Sequence, residues 1–272
     1  MDKKIAHEKA LIGLTTSPMT LPRLQADFET LGLKRGMCLM VHCSMSKIGW
    51  IPGGAQLLVE AMIDFLGPEG TLMVPTHSTH LTDPATWQAP PIPNEWHDET
   101  RNSFPAFDPD KTATRGMGQF AEAVRTWPGA IRSNHPHTSF CAIGRLASDI
   151  TAGHQLSSPM GPGSPLQKLC DNEGTTLLLG VGFGNNTCFH LAEESLDNPP
   201  RLIDGAPILV DGKSVWTIFD AVDYNEDDFA ACGTAFEQTG ETTIGTIGAA
   251  PSTLFSTRSA VEFARVWLRQ NR

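Results

Sequence analysis

A histidine and two carboxylates crowd into one short stretch: His190, Glu193 and Glu194 stand three and four residues apart. On a helix that spacing gives them a shared face, where an imidazole can take a proton while a carboxylate fixes its ring or binds a cation. Cys188 precedes His190 by two residues; it is a nucleophile that a ping-pong reaction could use, but its spacing turns it off the histidine's face. The plain alternative is that all three are solvated residues of a helix start, the acids favoured there by the helix dipole. Two histidine pairs, His77 with His80 and His135 with His137, offer a different chemistry. His77, His80 and His135 with Glu193 would make a metal-dependent hydrolase, although no H-E-x-x-H helix accompanies them. A third group is phosphate-sized. Ser44, Ser46 and Lys47 lie just before Gly53 and Gly54, and hydroxyls, a lysine and helix-start N–H groups can hold a phosphate or pyrophosphate. Neither a G-x-G-x-x-G nor a P-loop sharpens that reading.

Each of these groups follows a strand. Residues 177–181, Leu-Leu-Leu-Gly-Val, read as a buried strand closed by the turn around Gly182 and Gly184, with Asn185 or Asn186 to cap the next helix. Residues 37–42 form another apolar run before the Ser44 loop, and residues 70–75 a third before Thr76. In open α/β sheets ligands bind just past the carboxyl ends of strands. Helices are predicted from the cap at Thr20, with Leu24, Phe28 and Leu31 inward, and from Gly53–Gly54, with Leu57, Leu58, Ala61 and Phe65 inward. Others follow around 118–127 with Phe120, Ala123, Val124 and Trp127 inward, at 147–156, after Ser164, at 229–237 and at 259–268. Residues 140–144 and 243–255 read as strands, and Asp211-Gly212 as the turn of a hairpin joining 207–210 to 214–219. The alternation predicts an α/β fold, a three-layer α/β/α sandwich with a largely parallel central sheet plus a β-hairpin addition. Residues 81–111, rich in Pro, Trp and acids, are too long for a simple connection and read as a lid-like or binding loop. The expected organisation is a single domain, 1–272, with 81–111 on the substrate side and 200–240 as a small subdomain.

Three strings carry a resemblance. Thr187-Cys-Phe-His190-Leu-Ala-Glu193 after the Leu-Leu-Leu-Gly-Val-Gly strand resembles the aminoglycoside 3-N-acetyltransferase family, as does Pro128-Gly-x-x-Arg132-Ser133-x-His135-Pro-x-x-Ser139-Phe. His42-Cys-Ser44-Met45-Ser46-Lys47-Ile-Gly49-Trp50 is similar to that family's coenzyme A-binding loop. The resemblance runs from about residue 33 to the end. It implies an acetyl-coenzyme A-dependent N-acetyltransferase that acylates the 3-amino group of a cationic aminoglycoside and needs no metal. His190 is then the general base, Glu193 its partner, and Thr76 a neighbour of the acetyl group. Ser44, Met45, Ser46, Lys47, Arg132, Ser133 and Ser139 would hold the cofactor. Asp223 and Glu226 of the acidic 220–228 segment would offer carboxylates to the acceptor amine; in the 81–111 loop, read from its own residues, Trp87, Asp98 and Glu99 could wall a pocket for a sugar-like polycation, rings under its apolar faces and carboxylates on its ammonium groups. Cys43 departs from the Ser or Thr more usual in the family. A transferase acting on a different amine is the nearest alternative.

Composition narrows the field. With 272 residues, 40% hydrophobic and 18% charged, the chain can bury a sizeable core. A net charge of −10 argues against nucleic acid as a ligand and suits a cationic one. Six scattered cysteines without a Cys-x-x-Cys pair read as buried apolar groups of a reducing compartment. The start of the chain has charge but no signal-peptide core, and no run approaches a membrane span. The expectation is a cytoplasmic protein, a monomer or homodimer, with no membrane or nucleic-acid partner.

Overall fold

The strands that carry the site are continuous apolar runs because helices cover both of their faces. A computed structural model describes residues 3–272; Met1 and Asp2, part of the charged start of the chain, lie outside the described residues. In chain order, α1 (Lys3–Ile12) leaves Ile5 and Ile12 exposed, and α2 (Leu21–Leu31) follows Thr20 and buries Leu24, Phe28 and Leu31. Then come β1 (Cys38–Cys43), α3 (Ala55–Leu66), β2 (Thr71–Pro75), α4 (His97–Ser103), α5 (Gly118–Arg125), β3 (Ile131–Arg132) and β4 (Phe140–Gly144). α6 (Ala147–Thr151), α7 (Pro165–Asp171), β5 (Thr175–Leu179) and α8 (Cys188–Glu194) lead to the ribbon β6 (Arg201–Val210) and β7 (Lys213–Val222). α9 (Phe229–Glu237), β8 (Thr242–Ile247), β9 (Ala250–Ser256) and α10 (Thr257–Asn271) complete the chain.

Seven strands form one sheet in the order β3-β4-β2-β1-β5-β9-β8. Alternation along each strand feeds two separate cores. Leu39, Val41, Leu72, Val74, Leu177 and Leu179 pack with α2, α3 and α5. Met40, Met73, Phe140, Leu178 and Phe255 pack on the opposite face with side chains of α6 to α10. Each fully buried Leu, Met or Phe contributes roughly 1.5–3 kcal/mol.

The sheet is mixed, which corrects the expectation of a largely parallel one. Only β1 with β2 and β1 with β5 run parallel, while β2–β4, β3–β4, β5–β9 and β8–β9 are antiparallel. For β3–β4 and β8–β9 the physical reason is a short connection, which can join only antiparallel neighbours. The run 243–255 is not one strand but the hairpin β8–β9, folded at Gly248. Gly248 has φ 57°, and a Cβ there would lie 2.2 Å from the Ile48 carbonyl oxygen. Ala249 donates its N–H to that same oxygen at 2.9 Å, so the hairpin turn braces the loop after β1.

β6 and β7 form a two-stranded sheet of their own, paired from Arg201–Val222 to Val210–Lys213. Asp211 and Gly212 make the turn with φ 48° and 77°, the positive values such a two-residue hairpin turn requires. The ribbon joins the main body through His137, whose Nδ1 is 3.0 Å from Asp204 Oδ2. Residues 81–111 contain α4 and two short 3-10 turns, Pro84–Thr86 and Asn94–Trp96, and they lie against the ribbon. Phe104 stacks on Trp216 with centroids 5.9 Å apart, and Phe107 donates its N–H to the Pro207 carbonyl at 2.9 Å.

Candidate active site

Because β1, β2 and β5 are parallel, their carboxyl ends meet at one edge of the sheet, and the loops leaving them wall a cleft of about 1070 Å³. Ser44, Met45, Ser46 and Gly49 come from the loop after β1, Pro75, His77 and Thr79 from the end of β2, and Asn185, Asn186, Thr187 and His190 from beyond β5. Gly53 and Gly54 stand at the start of α3, residues 116–121 bring the start of α5, and Glu226 and Phe229 close the far side. His7, Glu8 and Leu11 of α1 reach the same cleft, where Glu8 accepts a hydrogen bond from Trp50 Nε1 at 3.2 Å.

His190 lies on the first turn of α8, with Thr187 at the cap position, and Asn186 Oδ1 accepts from the Cys188 N–H at 3.3 Å. Its Nδ1 is 2.7 Å from Glu193 Oε2. That bond places the proton on Nδ1 and leaves Nε2 as the basic atom. The imidazole is gripped between Tyr224 and Phe229, with centroids 4.8 and 4.7 Å away. Glu193 is 1% exposed, and its other oxygen accepts from Asn225 N at 2.8 Å and from Arg272. Glu194 plays a different part. It accepts from Tyr224 Oη and from Ser158 Oγ, and so holds Tyr224 against the imidazole.

Two further histidines border the cleft. Burial, and then the proximity of His190, lowers His42 to about 4 and His77 to about 3. Both are therefore neutral near neutral pH, and His42 Nε2 meets Thr187 Oγ1 at 3.3 Å. Cys188 is wholly buried beside Thr176, and burial pushes its thiol far above the ordinary range. It has neither the exposure nor the ionisation of a nucleophile.

Other residues singled out in the sequence lie elsewhere. Thr76 does not line the cleft: strand alternation turns Pro75 and His77 toward it and Thr76 away. The Thr76 hydroxyl meets Ser139 Oγ at 3.2 Å, and Ser139 Oγ accepts from Arg132 Nε at 2.9 Å. Arg132 also donates to the carbonyls of Thr76, Pro109 and Thr112. Ser133 Oγ accepts from Phe140 N at 2.9 Å and meets His154 Nδ1 at 2.9 Å. Arg132, Ser133 and Ser139 are thus buried struts between β2, β3, β4 and the end of the 81–111 segment. They stand outside the cleft lining, because a buried guanidinium must have its N–H groups satisfied internally. Lys47 is exposed with its stem against Gly180. Trp87 packs on Phe104 and donates to Thr82, Asp98 pairs with Arg101 at 2.7 Å on the surface, and Glu99 borders a separate shallow depression beside Trp96. Asp223 is exposed, whereas Glu226, three residues on, lines the cleft. Glu8 and His42 are lining residues to which the sequence assigned no role; for His42 the signals were its place near the end of an apolar strand and at the head of the Ser44 string. Among the described residues, no three His, Cys, Asp or Glu side chains are grouped so as to hold a metal ion.

The profile described as "Aminoglycoside 3-N-acetyltransferase" matches residues 40–269. The chain belongs to that family of acyltransferases. It is 42% identical to the SPbeta prophage-derived aminoglycoside N(3')-acetyltransferase-like protein YokD of Bacillus subtilis (strain 168), covering 97% of each chain. The crystal structure of YokD superposes with a TM-score of 0.95 over 97% of this chain and 98% of that one. Aminoglycoside N(3)-acetyltransferase VII of Streptomyces paromomycinus is 38% identical over 97% of this chain and 96% of its own. A structure described as AAC-IIIb binary with CoASH is 31% identical, with a TM-score of 0.84, covering 94% of this chain and 98% of that chain.

One wall of the cleft could hold an anion such as a phosphate. Gly53 and Gly54 adopt φ 74° and 63°, and nothing lies within 4 Å of where a Cβ would stand on either. Gly54 supplies α3 with no side-chain cap. The first N–H groups of the helix are therefore open to an anion. Ser44 Oγ and Ser46 Oγ, 3.2 Å apart, border the same space.

Proposed function

We propose that this protein transfers the acetyl group of acetyl-coenzyme A to the 3-amino group of an aminoglycoside, directly within a ternary complex. The observation that carries the reading is the buried His190–Glu193 pair, 2.7 Å apart, opening on the cleft whose other wall is the Ser44–Gly54 loop. The cofactor would supply an activated acyl thioester. Ser44, Met45, Ser46 and the α3 start would hold its pantetheine and phosphates, with Lys47 at the rim.

An aminoglycoside amine is largely protonated near neutral pH, and attack requires its lone pair. His190 Nε2 takes one proton and Glu193 stabilises the imidazolium that forms. As the amine nitrogen bonds to the acetyl carbonyl carbon the C–S bond breaks, the imidazolium returns its proton to the departing thiolate, and the nitrogen's second proton passes to solvent. His42 and His77 are neutral, and among the described residues His190 is the imidazole of the cleft that pairs with a carboxylate. Glu226 and Glu8 supply negative charge to the acceptor's other ammonium groups, and Asp223 adds to it from the surface outside the cleft lining. The ribbon β6–β7 and residues 81–111 form one acceptor-side module on a single cytoplasmic domain.

Release of free coenzyme A thiol, followed against aminoglycosides with and without a 3-amino group, tests the reading. Release that requires the 3-amine is the expected result. Binding of coenzyme A with no release from any panel member would show that the acceptor is another amine.

A further inference from the structure

Resting on the reading of His190 as the base, we propose that Arg272 is a positioning residue for acyl transfer: its guanidinium fixes the Glu193 carboxylate that orients His190. Glu193 is 1% exposed. A buried carboxylate persists as an anion only when its oxygens are fully engaged. Oε2 is taken by His190 Nδ1 at 2.7 Å, and Oε1 accepts from Asn225 N at 2.8 Å and from Arg272 Nη1 at 2.5 Å. Arg272 thus brings Glu193 a full positive charge, and its 79-residue distance along the chain hides the pairing from any motif.

The guanidinium is itself held on every side. Its Nε donates to Asp228 Oδ2 at 2.8 Å and its Nη2 to Asp228 Oδ1 at 2.6 Å, a planar fork that lysine cannot reproduce. Nη2 also donates to the Asn225 carbonyl, and the guanidinium carbon sits 5.9 Å from the ring centre of Phe229, the ring that grips His190. One side chain therefore joins α8, the segment 224–228 and the start of α9. The other titratable groups around the pair are Glu194 on α8, Tyr224, Glu226 and Asp228 of the segment that follows it, His42 from β1 and His77 from beyond β2. Glu194 is engaged by Tyr224 and Ser158, and the two histidines are neutral near pH 7.

The test uses the full chain with Arg272→Gln, Arg272→Lys and Asp228→Asn. Removing the cation leaves the Glu193 charge acting alone on His190, which favours the imidazolium. For Arg272→Gln we expect kcat to fall about tenfold to a hundredfold, KM for acetyl-coenzyme A to stay nearly constant, and the acid limb of kcat to move to higher pH. Arg272→Lys should recover part of the loss. Asp228→Asn, nearly isosteric, should shift the limb the opposite way, and it keeps the question open to test where Arg272→Gln fails to fold. The His190 ring titration, followed by NMR with ring-labelled histidine and assigned against His190→Gln, should show the same displacements without any substrate. A kcat lowered equally at all pH values, or a His190 midpoint unmoved in the variants, would make Arg272 a mere anchor of α10 and overturn the proposal. If the midpoints move while the wild type acetylates no aminoglycoside, the acceptor reading falls and the role of Arg272 stands.

Discussion

His190→Ala removes the group that takes the amine proton and leaves the Ser44–Gly54 wall untouched. Turnover is expected to drop by roughly a factor of 10² to 10⁴, with coenzyme A affinity by calorimetry within a few-fold of wild type; unchanged turnover would exclude His190 as the base. Cys188→Ser is the matched control. The thiol is wholly buried and its ionisation suppressed by burial, so acetyl-enzyme should not accumulate and kcat should stay near wild type. A lost burst of thiol in that variant would instead revive the ping-pong route. At this scale the sequence was most informative where neighbours along the chain are also neighbours in space: His190 and Glu193 meet because a helix brings positions i and i+3 together. It was least informative for Thr76, Arg132 and Ser139, whose roles depend on which way a strand turns them.

At the scale of elements, the β8–β9 turn and the loop after β1 act as one unit. Gly248→Ala places a side chain at φ 57° and a carbon 2.2 Å from the Ile48 oxygen. The left-handed conformation alone costs about 1–2 kcal/mol, and relief of the clash moves the Ser44–Trp50 loop. The expected outcome is a lower melting temperature together with weaker coenzyme A binding; a variant that melts lower but binds normally would uncouple the turn from the loop. Glu226→Gln probes the opposite wall of the cleft. It should raise KM for the aminoglycoside several-fold and leave that for acetyl-coenzyme A alone, as expected when one ammonium loses an ionic partner. Helix ends were legible in sequence because their signals are local: Ser164 accepts from the Gln167 N–H at the start of α7, and α9 begins and ends at the residues the periodicity indicated, although Thr20 before α2 makes no side-chain cap. Strand boundaries inside 243–255 were not, since a lone glycine in an apolar run is compatible with either a continuous strand or a turn.

For the molecule as a whole, the buried histidines set its behaviour in acid. His42 and His154 are lowered to about 4 and His77 to about 3, with burial the leading cause for each, and His135 lies well below its ordinary value for the same reason. A histidine whose folded pKa is depressed binds its proton more readily once unfolded. Stability is thus complete above the unfolded value of 6.5 and is lost as pH falls toward 4. Urea midpoints measured from pH 7.5 down to pH 4 should fall by several kcal/mol equivalent; a flat profile would contradict the burial of these rings. Sequence by itself determined the α/β class, the apolar strands, the helix carrying His190 and Glu193, and the loop carrying Ser44 and Ser46, all through local periodicity, capping and family strings. Tertiary structure alone decided that the sheet is mixed, that β1, β2 and β5 end at one cleft, and that Arg132 and Ser139 brace it from behind. It also decided that Arg272 reaches Glu193. Strand direction, side-chain facing and long-range pairing depend on which elements pack together, and no spacing along the chain encodes that.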